Sequence, residues 1–351
     1  MVIEMEIQME KRQNWPDYAK AIGIILVVYG HVARGLENGG INAPFYNFEL
    51  VDSIIYSFHM PLFFFLSGLF FCHSFFKKGP RKLIFSKIDT IFYPYVLWSL
   101  LQGGIEVLLS NYTNGTIVVS DVLSFLWAPR AQFWFLYALF FIFILSSLFY
   151  SKIPDRFSIY IFVFSLLIYL YPVLLPDVYI LNTIANYFVF FMLGIIFTRY
   201  FKVEYFSSLI TLSVLFITFI IGQWFFHYYM SYRYTDSGIS LFLLTCISII
   251  FVVSLSSFLS TFNYRVLAYV GSSSMAIFLM HILIGSGARV ILSKLFGVDT
   301  FVIHLFLGCV AGIVGPIFAL YLIKKLNFKF IFSAPISEWF SDFYDKLQKS
   351  R

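Results

Sequence analysis

Long apolar runs follow one another through nearly the whole chain, and they limit its fold more than any other feature. Inside a bilayer no water is available to the backbone, so a run of about 20 apolar residues must close its own hydrogen bonds as a helix. Runs of that kind lie at 17–36, 50–74, 89–109, 132–150, 158–175, 180–198, 206–226, 238–260, 266–285 and 299–323. The spacing therefore predicts an all-α polytopic membrane protein of about ten helices. With 60% hydrophobic and only 12% charged residues, the chain lies far from the composition of a soluble domain. The same reading divides it into a cytoplasmic N-terminal segment, 1–14, a membrane domain, 15–325, and a cytoplasmic tail, 326–351. The tail sets Trp339, Phe340, Phe343, Tyr344 and Leu347 on one side of a helix expected to lie on the membrane surface.

The cations orient the bundle. With the N-terminus inside, nineteen of the 24 Lys and Arg residues fall in cytoplasmic segments, and Arg34, Arg130, Arg233, Arg289 and Lys294 fall outside. That asymmetry fits an even number of spans with both termini cytoplasmic. The net charge of +6 follows from topology, and no nucleic-acid partner is implied. Residues 1–14 lack a signal peptide's apolar core, so the first span is read as retained. Cys72, Cys246 and Cys309 sit in separate apolar spans without paired spacing. They indicate neither a disulfide framework nor a metal site.

Against this background the polar residues inside the spans stand out, because such groups are costly there and default to function. Lys20 and His31 are eleven residues apart, which on a helix is about 20° past three turns, so they share one face about 16 Å apart along the axis. In the second span, Asp52 precedes His59 by seven residues, near enough to one face to orient the imidazole through an intermediary or a kink. Pro61 frees a backbone carbonyl close by, and Ser67-Gly68 permits close helix approach. The cations Lys77, Lys78, Arg81, Lys82 and Lys87 follow, as a membrane anchor or as a cradle for a phosphorylated ligand. Trp134 opens the fourth span, and Ser274 shares a face with His281 in the ninth.

These motifs, Asp17-x-x-Lys20-x10-His31, Phe58-His59-Met60-Pro61-Leu62-Phe63-Phe64-Phe65-Leu66-Ser67-Gly68, Phe133-Trp134-Phe135-Leu136 and Gly271-x-x-Ser274 leading to His281, occur in an order that resembles the acyltransferase-3 family. The similarity is closest to its fucose 4-O-acetylase-like branch and runs from residue 14 to about 325. The resemblance implies a multi-pass enzyme of the bacterial inner membrane that O-acylates surface carbohydrate with cytoplasmic acyl-CoA. Acetyl-CoA is thus the expected co-substrate, a carbohydrate the acceptor, and no bound cofactor is expected. It makes His31 the catalytic histidine and Lys20 its basic partner, with Asp17 beside Lys20. The family's basic pair entering the third helix is represented by Lys87 with Thr90 in the second place, and Lys78 and Arg81 upstream are substitutes for holding CoA.

The chemistry suits these residues independently. A sugar hydroxyl is a poor nucleophile until a base takes its proton, and a neutral imidazole in a site of low dielectric can do so. The oxyanion formed on the thioester needs placed donors, for which His59 ranks first, then Ser67 and Trp134. Direct transfer and passage through an acyl-His31 are both compatible with this set. One cavity bordered by His31 and His59 and open to the cytoplasm near Lys77–Lys87 is expected. The competing readings are a transporter or flippase for a lipid-linked sugar, which would use the same polar interior, and an assembly protein, which would need none of the imidazoles.

Overall fold

The computed structural model of the protein describes residues 14–43, 48–109 and 117–339, and all regular structure among them is helical. Among the described residues, nine segments are long and apolar enough to cross a bilayer. The first is α1 (Trp15–Asn38). The second is built from α2 (Phe48–Tyr56), α3 (His59–Leu69) and α4 (Phe71–Lys78), and the third from α5 (Pro80–Lys87) and α6 (Tyr93–Leu108). After the short α7 (Val119–Leu123) comes α8 (Trp134–Lys152). The predicted 158–175 span is instead the 13-residue α9 (Ser158–Leu170). Tyr171 leaves helical geometry, at φ −129° and ψ 62°, as a residue before proline tends to do, and Pro172 cannot extend the ladder. The chain continues through α10 (Tyr179–Tyr200), α11 (Leu209–Trp224), α12 (Ile239–Ser260), α13 (Arg265–Ser272), α14 (Ser274–Phe296) and α15 (Phe301–Lys325).

Contacts along the helices establish that α9 is nonetheless a traversal. Gly271 approaches the Asp17 backbone, His281 meets His31, and Arg289 bonds the Gly35 carbonyl. This near-constant offset means that α14 runs parallel to α1. Parallel helices require an even number of crossings from one to the other, and that parity includes α9. Arg199 at the end of α10 reaches Asp155, just before α9, at 3.1 Å, so the two form an antiparallel pair. Gly308 faces Val32 and Gly312 faces Val28, which makes α15 antiparallel to α1. Lys324 and Lys325 thereby return to the end of the bundle where α1 begins.

Two boundaries differ from the sequence reading. Helical structure in the third segment begins at Pro80, not 89, because the basic stretch Arg81–Lys87 continues through a π turn at Ile88–Phe92. Pro94 crowds the carbonyl four residues before it, which favours the wider turn. The ninth span is displaced toward the C-terminus, with 265–272 forming a separate helix and the long one ending at Phe296. The first part of the tail folds back on the third segment, where Asp89 accepts from the Ser337 backbone N–H at 2.9 Å. The expected helix through Phe340, Phe343, Tyr344 and Leu347, and the segment 1–13, lie outside the described residues.

The centre of the bundle depends on a close crossing of α3 and α10. A Cβ on Gly68 would strike the Phe191 carbonyl oxygen, and one on Gly194 would strike that of Phe65, so two backbones meet where neither residue has a side chain. Gly68→Ala should lower thermal stability of the purified protein by at least the about 1–3 kcal/mol of an overpacked core. Gly104→Ala, where a Cβ meets nothing within 4 Å, should not lower the unfolding temperature and should raise it slightly, since alanine favours the helix interior.

Candidate active site

Three histidines from three helices converge on one cavity of about 450 Å³: His31 of α1, His59 of α3 and His281 of α14. The His31 and His281 rings meet edge to face at 5.0 Å, and the His59 ring lies 4.5 Å from that of Tyr56. Each imidazole is held in the same way. Nδ1 of His31 lies 2.9 Å from the Val27 carbonyl, Nδ1 of His59 lies 2.8 Å from that of Ile55, and Nδ1 of His281 lies 2.8 Å from that of Phe278. A carbonyl only accepts, so Nδ1 carries the proton in each bond and Nε2 of the neutral ring is left as the basic atom. His59 and His281 are each 1% exposed, and their Nε2 atoms are buried without a hydrogen-bond partner among the described residues. All three line the cavity, and His31, half-buried, is the least enclosed of them.

Asp52 makes no direct hydrogen bond to His59 among the described residues. It accepts two bonds of 2.7 Å from Arg34, whose guanidinium also donates to the Tyr234 hydroxyl at 3.0 Å. Bidentate Arg–carboxylate geometry outcompetes a carboxylate–imidazole pair that lies two turns apart on the same segment. The same Arg34 stacks 3.3 Å from the Tyr56 ring centre, which fixes the ring that packs on His59. The segment breaks at Ser57–Phe58 before Pro61, and the Ser57 carbonyl left by that proline accepts from Thr245 Oγ1 at 2.7 Å. Trp134 lines the cavity together with Tyr187 and Arg289.

A separate cavity of about 280 Å³ lies at the other end of the same helices. It contains Lys20, Lys87, Ser67 and Ser274. Lys20 Nζ is 3.1 Å from Asp17, Lys87 Nζ lies 4.1 Å from the Phe143 ring centre, and Ser67 donates to the Phe63 carbonyl at 2.8 Å. Lys78 is exposed and donates to Ser86 at 2.9 Å. Arg81 and Lys82 point to the exterior and do not line the cavity.

The single continuous cavity expected from the sequence is thus divided. Phe63 and Phe135 line the lysine cavity. Their rings lie 5.8 Å apart, Phe135 meets Phe278 at 5.5 Å, and Phe278 reaches His281 at 6.2 Å. Large rings favour such edge contacts and fill the interval between the two polar ends. Tyr56, Tyr187, Tyr234 and Arg289 escaped the sequence reading because tyrosine is abundant throughout the chain and Arg289 counted only as an outside charge. The Arg34–Asp52 ion pair, between residues 18 apart, carried no periodic signal.

A family model described as an acyltransferase domain matches residues 13–321. Comparison with curated proteins and with solved structures returns no match.

The two cavities should differ in access. In a background lacking Cys72, Cys246 and Cys309, Ser286→Cys in the histidine cavity and Ser74→Cys in the lysine cavity should react with a membrane-impermeant thiol reagent from opposite faces of oriented vesicles. Labelling of both from one face would contradict the division.

Proposed function

From the premise that the chain belongs to the acyltransferase-3 family and is a multi-pass membrane acyltransferase, we propose that it moves an acetyl group from cytoplasmic acetyl-CoA to a hydroxyl of a surface carbohydrate, at the inner membrane of a bacterium. The observation that carries this reading is His31 Nε2, the basic nitrogen of an imidazole locked through Nδ1 and open to a cavity. Its nearest imidazole neighbour supplies no hydrogen bond that would occupy it.

The basic residues give the site its direction. Lys20 and Lys87 at the cytoplasmic end suit the phosphates of CoA, with Lys78 close behind through Ser86. Arg81 and Lys82 serve as membrane anchors in this reading. The pantetheine arm carries the thioester along α1 past Phe63 and Phe135, whose rings turn aside for it, over the roughly 16 Å from Lys20 to His31. His31 removes the proton of the acceptor hydroxyl as the oxygen attacks the thioester carbonyl. When the tetrahedral intermediate collapses, the C–S bond breaks and the imidazolium returns its proton to the departing thiolate. The products are the sugar ester and free CoA.

Trp134 borders the histidine cavity and supplies a donor-only indole N–H for the oxyanion. Ser67 belongs to the lysine cavity in this scheme. His59, with Nε2 enclosed, acts on the wall of the site by fixing Tyr56. Only the acyl group crosses the membrane, so neither CoA nor the acceptor has to.

His31→Ala should lower CoA release in the presence of acceptor by about 10²–10⁴-fold, the usual contribution of a general base, with the unfolding temperature unchanged. Lys87→Ala should raise the KM for acetyl-CoA while leaving the acceptor KM in place. Mass spectrometry of surface glycans from cells with and without the protein should show the ester only when His31 is intact. Undiminished acetylation by the His31→Ala protein would overturn the assignment.

A further inference from the structure

A further cavity, of about 820 Å³, adjoins the histidine cavity and plays no part in the transfer as described. The two share Tyr56, Tyr187 and Tyr234 as a common wall. Beyond that wall lie Asn182 and Asn186, one turn apart on α10, with Asp177, Thr235 and Ser237 from the adjoining loops. Asn182 donates to Asp177 at 2.7 Å, and the exposed Asn186 amide faces the cavity one turn farther on. The loop bearing Tyr234 is anchored by a bond of 2.8 Å from its backbone N–H to Ser53 Oγ, so this wall is built on the helices.

Amides and hydroxyls that both donate and accept, set among tyrosine rings, match an uncharged polyol better than an acyl chain or a phosphate. No Lys, Arg or His is among the residues that line the cavity, so a diphosphate would find no counter-charge there. The volume lies near the upper end of the roughly 300–1,000 Å³ of small-molecule sites, in addition to the space beside His31. A single sugar reacting at His31 would leave it unused.

We infer that this cavity is an acceptor subsite that binds the sugar units flanking the one being acylated, and hence that an oligosaccharide or glycan chain is bound more tightly than a free monosaccharide. The inference rests on the transfer reading for its chemistry but makes a binding claim that stands apart from turnover. Tyr56, Tyr187 and Tyr234 form the threshold between the flanking units and the reacting one.

The probe is the surface glycan of cells that carry the protein, used intact, as fragments of graded length and as fully hydrolysed monosaccharides. Calorimetric titration into the protein in nanodiscs, without acetyl-CoA, should show affinity rising with fragment length. Asn186→Phe, which fills the cavity from an exposed position, should weaken fragment binding by about tenfold, the scale of a lost hydrogen-bonded subsite. Asn186→Leu should fall between it and the wild type. In parallel, CoA release with monosaccharide acceptors should be the same in all three proteins, as should the KM for acetyl-CoA. Length-independent binding, or fragment affinity unaltered by Asn186→Phe, would overturn the inference even where CoA release is robust. Length-dependent binding lost in Asn186→Phe, with no CoA release from any acceptor, would uphold the subsite and reject the transfer reading instead.

Discussion

An imidazole inside a membrane bundle must find a hydrogen-bond partner on the protein, and the site is organised by how that requirement is met. His31 and His281 each bond a carbonyl of the preceding turn of their own helix through Nδ1, and His59, at the start of α3, bonds that of Ile55, four residues earlier at the end of α2. A helix supplies such a carbonyl without any tertiary adjustment, whichever helices later pack together. The bond restricts each ring to one tautomer and one direction, so Nε2 is what each helix presents to its neighbours. The three differ in enclosure. His59 and His281 are shut in by packing, and His31 is the least enclosed.

That enclosure is a consequence of how closely the helices approach. Gly68 and Gly194 allow α3 and α10 to touch through their backbones, and Gly271 does the same for α13 against α1 at Asp17. The second contact begins the parallel course of α14 along α1, which brings His281 to His31 and Ser274 to the end where Lys20 lies. One helix face thus serves two cavities, polar at both ends and apolar between. The Arg34–Asp52 pair works at right angles to this axis, tying α1 to α2 and holding Tyr56 beneath its guanidinium.

What could be read from the sequence was whatever a single helix encodes. The shared face of Lys20 and His31, the matching face of Ser274 and His281, and the carbonyl released by Pro61 all follow from periodicity and covalent structure, and all appear in the fold. Relations between helices were less visible. Asp52 lies near the face of His59 within its own segment, and nothing local reveals that Arg34 reaches it from α1. Span ends were misplaced where charge and helix propensity disagree, as at Arg81–Lys87, whose cations look like a loop but continue a helix. The 158–175 span was overestimated because hydropathy averages across Pro172, whereas the backbone cannot. The aromatic division of the cavity was hidden by abundance: with 46 phenylalanines in the chain, nothing local marks Phe63, Phe135 and Phe278 as one another's neighbours.

For the proposed transfer across the membrane, the division gives a physical reason for two cavities in place of one channel. A continuous polar path from Lys20 to His31 would admit water and ions, and in the proposed reaction it would expose a thioester donor to hydrolysis before an acceptor arrived. Rings at van der Waals contact close that path without placing any charge in the low-dielectric interval, where an unpaired charge would be costly. A thin, largely uncharged arm can displace such rings, because what is given up is packing between aromatic edges, worth about 0.5–1.5 kcal/mol for each pair. A hydrated ion cannot make the same exchange, since it would also lose its water. The barrier therefore discriminates by desolvation, and it does so at the level of α1, α3, α8 and α14 where the two polar faces are closest to meeting.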